Sequence, residues 1–150
     1  MNLIESAIAG ILVITLLIAS LYDLKYREIP RAVWLGTWFV MPLALMQLAL
    51  LSVDNLPTAI MNAMILGAVV VVSFFLHEFG RLNTGDVIGL IVVFTCLSFG
   101  VYPLYMLFYV GLWLIIAAAL VMLAGKSAWR IPFIVPLTMG VISALSLYRA

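Results

Sequence analysis

At 150 residues, with 67% hydrophobic and only 9% charged side chains, the chain lies far from the balance of a water-soluble domain, where about 45–50% of residues are apolar and about 25% charged. A mean hydropathy of +1.32 excludes a soluble fold, and about 20 apolar residues per crossing leave no length for a separate soluble domain. The net charge of +1, with seven scattered basic residues, excludes a polybasic nucleic-acid-binding surface.

Apolar runs bounded by charges or turn residues predict helices at about 3 to 22, 32 to 52, 58 to 76, 87 to 99, 103 to 124 and 131 to 148. The expected fold is an all-α integral membrane protein, a single bundle of about six transmembrane helices with residues 1–150 as one domain. Met1 to Ser20 has neither a basic leading region nor a small-residue cleavage site, so it reads as the first crossing rather than a signal peptide. The fourth run is short, since some thirteen residues at about 1.5 Å rise span only about 20 Å. Tight packing against its neighbours is the expected compensation. Connections this short make consecutive helices antiparallel neighbours. Lys25, Arg27, Arg31, Arg81, Lys126 and Arg130 fall in the first, third and fifth connections, and only Arg149 lies elsewhere. By the positive-inside rule those connections are cytoplasmic and both termini outside, in a cell membrane.

Gly10, Gly36, Gly67, Gly89, Gly111 and Gly140 each fall within a predicted helix, where small residues let neighbouring backbones approach. Cys96 is the only cysteine and reads as a small buried hydrophobe, without a disulfide or a four-cysteine zinc site. No cofactor and no metal are expected.

Carboxylates at membrane depth are costly and usually functional. Glu5, in the opening turn of the first helix, favours the helix dipole, and Asp54 sits beside Asn55 and Pro57; both read as solvated. Asp23 closes the first apolar run and Asp86 opens the fourth, with two crossings between them, an even number that returns the chain to the same side. Two carboxyl groups meeting in a partly dry cleft share a proton. The ionised partner can then take a proton from a water while the protonated one polarises a scissile carbonyl and protonates the leaving amine. Taken singly, each aspartate also reads as a membrane-boundary residue, with Asp86 as an N-cap or first-turn residue of the fourth helix.

Three stretches, Asp23-Leu-Lys-Tyr-Arg-Glu-Ile-Pro30, Asn83-Thr-Gly-Asp86 and Ile131-Pro-Phe-Ile-Val-Pro136, resemble in order those of the type IV prepilin peptidase and archaeal preflagellin peptidase family. That family has an aspartate followed by Ile-Pro, a Gly-x-Gly-Asp-type motif and an Ile-Pro-Phe-rich start to the last helix. The resemblance implies a membrane aspartic endopeptidase with Asp23 and Asp86 catalytic. Its substrate would be a prepilin-like or preflagellin-like precursor whose short basic leader is cut at the cytoplasmic face, with the lipid bilayer as surroundings. Asn83 stands where the family has its first glycine, and Ile88 where many bacterial members have lysine. The chain lacks the cysteine-bearing loop of the methylating members, so it is more similar to the archaeal and compact bacterial forms. Tyr22-Asp23, Gly85-Asp86 and Pro136-Leu137 resemble more loosely the signatures of presenilin-like proteases.

Beside the resemblance stands the physical reading. Pro30 is tolerated in a first helical turn and would start the second helix sharply. Gly85 leaves room for a substrate backbone beside Asp86. Lys25, Arg27, Glu28, Arg31, His77, Glu78 and Arg81 form a charged rim, in which Glu28 or Glu78 would receive the substrate's basic residue. An interfacial charge ring that fixes helix depth is the plainer account of the rim. A small proton- or cation-coupled transporter using the same aspartates is the competing function, and it predicts carboxylates deeper in the bundle and broken helices.

Overall fold

The structure, a computed structural model, describes residues 3–26, 28–80, 82–99, 102–123 and 133–147. Arg27, Arg81, Lys126, Arg130 and Arg149, and the Ile131-Pro132 start of the third stretch, lie outside the described residues. The described residues form α1 (Leu3–Tyr26), a 3-10 turn (Arg31–Trp34), α2 (Leu35–Asp54), α3 (Leu56–Glu78), α4 (Thr84–Cys96), α5 (Tyr102–Leu123) and α6 (Ile134–Leu147). The all-helical expectation holds. Four stretches are long and apolar enough to cross a membrane: α1, the 3-10 turn with α2, α3 and α5. The helices α4 and α6 are apolar but shorter.

Boundaries follow local chemistry. The first helix continues past Tyr22 to Tyr26, with Lys25 in its last turn, where a cation favours the helix dipole. Asp23 is therefore helical rather than part of a loop. Pro30 does not open α2 directly; it precedes the 3-10 turn, and α2 begins at Leu35. Asp54 is the last residue of α2, and Asn55 alone separates α2 from α3. The Asn55 side chain accepts the Thr58 backbone N–H at 3.2 Å, and Pro57 lies in the first turn, so one residue caps the next helix directly.

The turn from α3 to α4 is tightly tied. Gly80 takes φ 65°, a left-handed conformation that L side chains rarely adopt. Leu82 donates its backbone N–H to the Leu76 carbonyl at 3.3 Å, and the Leu82 carbonyl lies 2.9 Å from His77 Nδ1. His77 thus straps the turn that precedes Asn83.

The thirteen-residue α4 is the centre of the bundle. It packs on α3, α2, α1 and α6, and Val87, Gly89 and the run Val92–Cys96 are buried, the close packing that a short helix requires. Its early end is satisfied from inside: Ser98 Oγ donates to the Thr95 carbonyl at 2.8 Å, and the fully buried Asn62 of α3 donates Nδ2 to the Ser98 carbonyl at 3.0 Å. Ile8, Leu12 and Leu16 of α1, with Ile134, Leu137 and Val141 of α6, complete the core around it. The outer faces of α2, α3 and α5 carry exposed Phe39, Phe75, Phe108 and Ile115, an apolar exterior compatible with lipid.

Close backbone approach occurs at only part of the glycines expected to provide it. A Cβ on Gly140 would lie 2.9 Å from the Val110 backbone, and one on Gly89 would lie 2.9 Å from Ile134 Cδ1 and 3.0 Å from the Trp34 ring. At Gly10, Gly36, Gly67 and Gly111 an added Cβ meets nothing within 4 Å. These four positions face open space, which the sequence pattern does not distinguish from a helix contact.

Candidate active site

Asp23 lies in the last turn of α1 and is buried to 6% exposure. Its Oδ2 accepts the backbone N–H of Ile134 at 3.2 Å, one of the donors that the first turn of α6 leaves without an intrahelical partner. The chain thereby joins the end of the first helix to the start of the last.

Asp86 lies at the third position of α4 and is 9% exposed. Its Oδ2 accepts the Asn83 backbone N–H at 3.2 Å, the back-reaching half of a capping box. The expected first-turn position is thus realised, and Asn83, which stands where the motif it resembles has a glycine, serves as the N-cap with φ −78°. No left-handed conformation is needed there, so the glycine's absence imposes no strain.

The two readings of the aspartates are not exclusive, because the capped Asp86 also faces Asp23. Both line one cavity of about 320 Å³, shared with Glu28, Ile29, Asn83, Thr84 and Gly85. Glu28 is exposed at the cavity rim. Glu78 is exposed at the end of α3 and is not part of the lining. Among the described residues no group of three or more His, Cys, Asp or Glu side chains forms a metal-ion cage.

Gly85 has a specific reason to be glycine. An added Cβ would sit 3.2 Å from the Ile29 Cβ and 3.5 Å from its carbonyl oxygen. The segment after α1 therefore lies directly on the first turn of α4. Below this contact, Gly89 admits the fully buried Trp34 ring and the Ile134 side chain against α4. Sequence reasoning did not single out Trp34 or the Ile134 N–H. A large aromatic one turn past Ile29-Pro30, with a glycine one turn past Asp86, was the available signal for the first; a backbone donor leaves none.

Two carboxyl groups in a small polar cavity, walled by packed helices, can hold a water between them and move one proton in each direction across it. A comparison with protein families, characterised proteins and solved structures finds no match to this chain. Fold and site together define an all-helical protein, with helices apolar enough for a membrane, in which two buried carboxyl groups open onto one polar cavity.

Proposed function

We propose that the chain is a membrane aspartic endopeptidase that removes short basic leader peptides from type IV pilin-like or archaellin-like precursors. One observation carries the reading: Asp23 and Asp86, from the end of α1 and the start of α4, line the same cavity. The ordered resemblance of the three sequence stretches supplies the substrate class. On this reading six helices cross the cell membrane, both termini lie outside and the cavity opens at the cytoplasmic face.

In the reaction the pair holds one proton. The ionised carboxylate takes a proton from a water between the two groups, and the water oxygen attacks the scissile carbonyl carbon. The protonated carboxyl donates to the carbonyl oxygen as charge develops there. As the tetrahedral gem-diol collapses the C–N bond breaks, the carboxyl that took the water proton gives it to the leaving nitrogen, and a gem-diol hydroxyl returns its proton to the other carboxylate, so the pair again holds one proton. Glu28, at the cavity rim, receives the basic residue ahead of the cleaved bond; Glu78 is outside the cavity lining and has no part in this step.

The test is cleavage of a prepilin-like peptide in liposomes by the wild type, Asp23→Asn, Asp86→Asn and Asp54→Asn. Loss of cleavage in the first two variants, with activity kept in the third, supports the dyad. Persistence in either removes it, and an inert wild type whose proton or cation flux depends on both aspartates makes the protein a carrier instead.

A further inference from the structure

Asp23 is held by more than its own helix, and the holding runs through two hydroxyl groups that lie outside the cavity lining. Ser20 stands one turn before Asp23 on α1, and Thr138 one turn after Ile134 on α6; in each pair the two residues share a helix face. Ser20 Oγ and Thr138 Oγ1 are 2.8 Å apart and both residues are buried. Thr138 Oγ1 also lies 2.8 Å from the Ile134 carbonyl and 3.4 Å from that of Leu16.

A hydroxyl has one proton to give. The short contact to the Ile134 carbonyl uses the proton of Thr138, so Ser20 donates to Thr138. The resulting chain runs Ser20 O–H to Thr138 O–H to the Ile134 carbonyl, and the N–H of that same Ile134 bonds Asp23 Oδ2 at 3.2 Å. Two rungs one helical turn apart therefore join α1 to α6. The inner rung ties the two helices side chain to side chain, and the outer rung holds one oxygen of the carboxylate. Without the inner rung, the outer rung is left amid apolar packing that includes Leu12, Leu16, Leu137 and Val141; such packing tolerates sliding of a few tenths of an ångström more readily than two directional hydrogen bonds do.

We propose that Thr138, acting with Ser20, is a positioning residue: the Ser20–Thr138 hydrogen bond sets α6 on α1 so that Ile134 aims its N–H at Asp23. The inference rests on the peptidase reading. Neither hydroxyl touches substrate, so the effect falls on kcat and leaves KM in place. A displacement of about 1 Å in a catalytic group costs up to about 10²-fold in rate, and a partial slip costs less.

The experiment measures kcat and KM for the leader-bearing peptide with Ser20→Ala, Thr138→Val, Thr138→Ser and the Ser20→Ala/Thr138→Val double variant. All are assayed below the unfolding midpoint of the least stable protein. Expected are a drop in kcat of roughly 10-fold or more for Thr138→Val at unchanged KM, recovery in Thr138→Ser, and a double variant no worse than the poorer single one, the non-additivity of one shared bond. Wild-type kcat in Thr138→Val, or losses that multiply in the double variant, overturns the positioning role while leaving the peptidase reading intact. An inert wild type overturns both.

Discussion

Gly85 rests on Ile29 so closely that a methyl group added to the glycine would lie 3.2 Å from the Ile29 Cβ. This contact brings the segment following Asp23 against the helix turn that carries Asp86, and Ile29 and Gly85 both line the cavity shared by the two aspartates. Gly85→Ala gains helix propensity of up to about 1 kcal/mol but pushes Ile29 outward by a few tenths of an ångström. The expected outcome is near-unchanged thermal stability in detergent with reduced peptidase rate. A variant that keeps full rate shows that the Ile29 segment yields without altering the site.

Glu28 and Glu78 separate in their consequences because only Glu28 lines the cavity. Glu28→Gln raises KM a few-fold for a peptide with Lys or Arg before the cut, the modest effect of an exposed ion pair, and the increase shrinks at high salt. Glu78→Gln leaves KM within error. Steady-state kinetics at two ionic strengths checks both; equal effects from the two variants would place the leader outside the cavity.

Because only the singly protonated carboxyl pair can act as base and acid at once, kcat/KM is bell-shaped in pH, with two limbs that belong to the pair and not to either residue. Glu5→Gln and Asp54→Asn leave the profile unmoved. A profile with a single limb counts against a shared proton.

The buried Asn62 side chain supplies the donor for the Ser98 carbonyl where α4 stops. Asn62→Leu leaves that carbonyl without this donor and costs about 1–3 kcal/mol. Chemical unfolding in mild detergent reads the loss. Gly140→Ala, against the Val110 backbone, is destabilising by about 1–3 kcal/mol through overpacking, whereas Gly67→Ala, with nothing within 4 Å, is neutral or better.

The number and order of the helices were legible in the sequence because apolar runs and their punctuation carry that information directly. The convergence of Asp23 and Asp86 was legible from parity: two intervening helices return the chain to its starting end. What was not legible came from contacts between distant backbones. The Ile134 N–H on Asp23, the seat of Trp34 against Gly89 and the Ser20–Thr138 bond depend on how α1, α4 and α6 rotate about their axes. Nor did spacing alone separate Gly89 and Gly140, which meet neighbours, from Gly10 and Gly67, which do not.

Two cross-ties hold α3 beside the returning chain, Asn62 to Ser98 at one end and His77 to Leu82 at the other. They stand almost the same number of residues apart along α3 as along the stretch through α4, so the two arms act as matched lengths. Substitutions on the outer face of α3 change what it shows to its surroundings and little else. Inserting or deleting one residue between the ties is different in kind: it advances one arm by about 1.5 Å and turns it by about 100°, so one tie or the other must break. The arm carrying Asp86 is thus held to its length as firmly as to its packing.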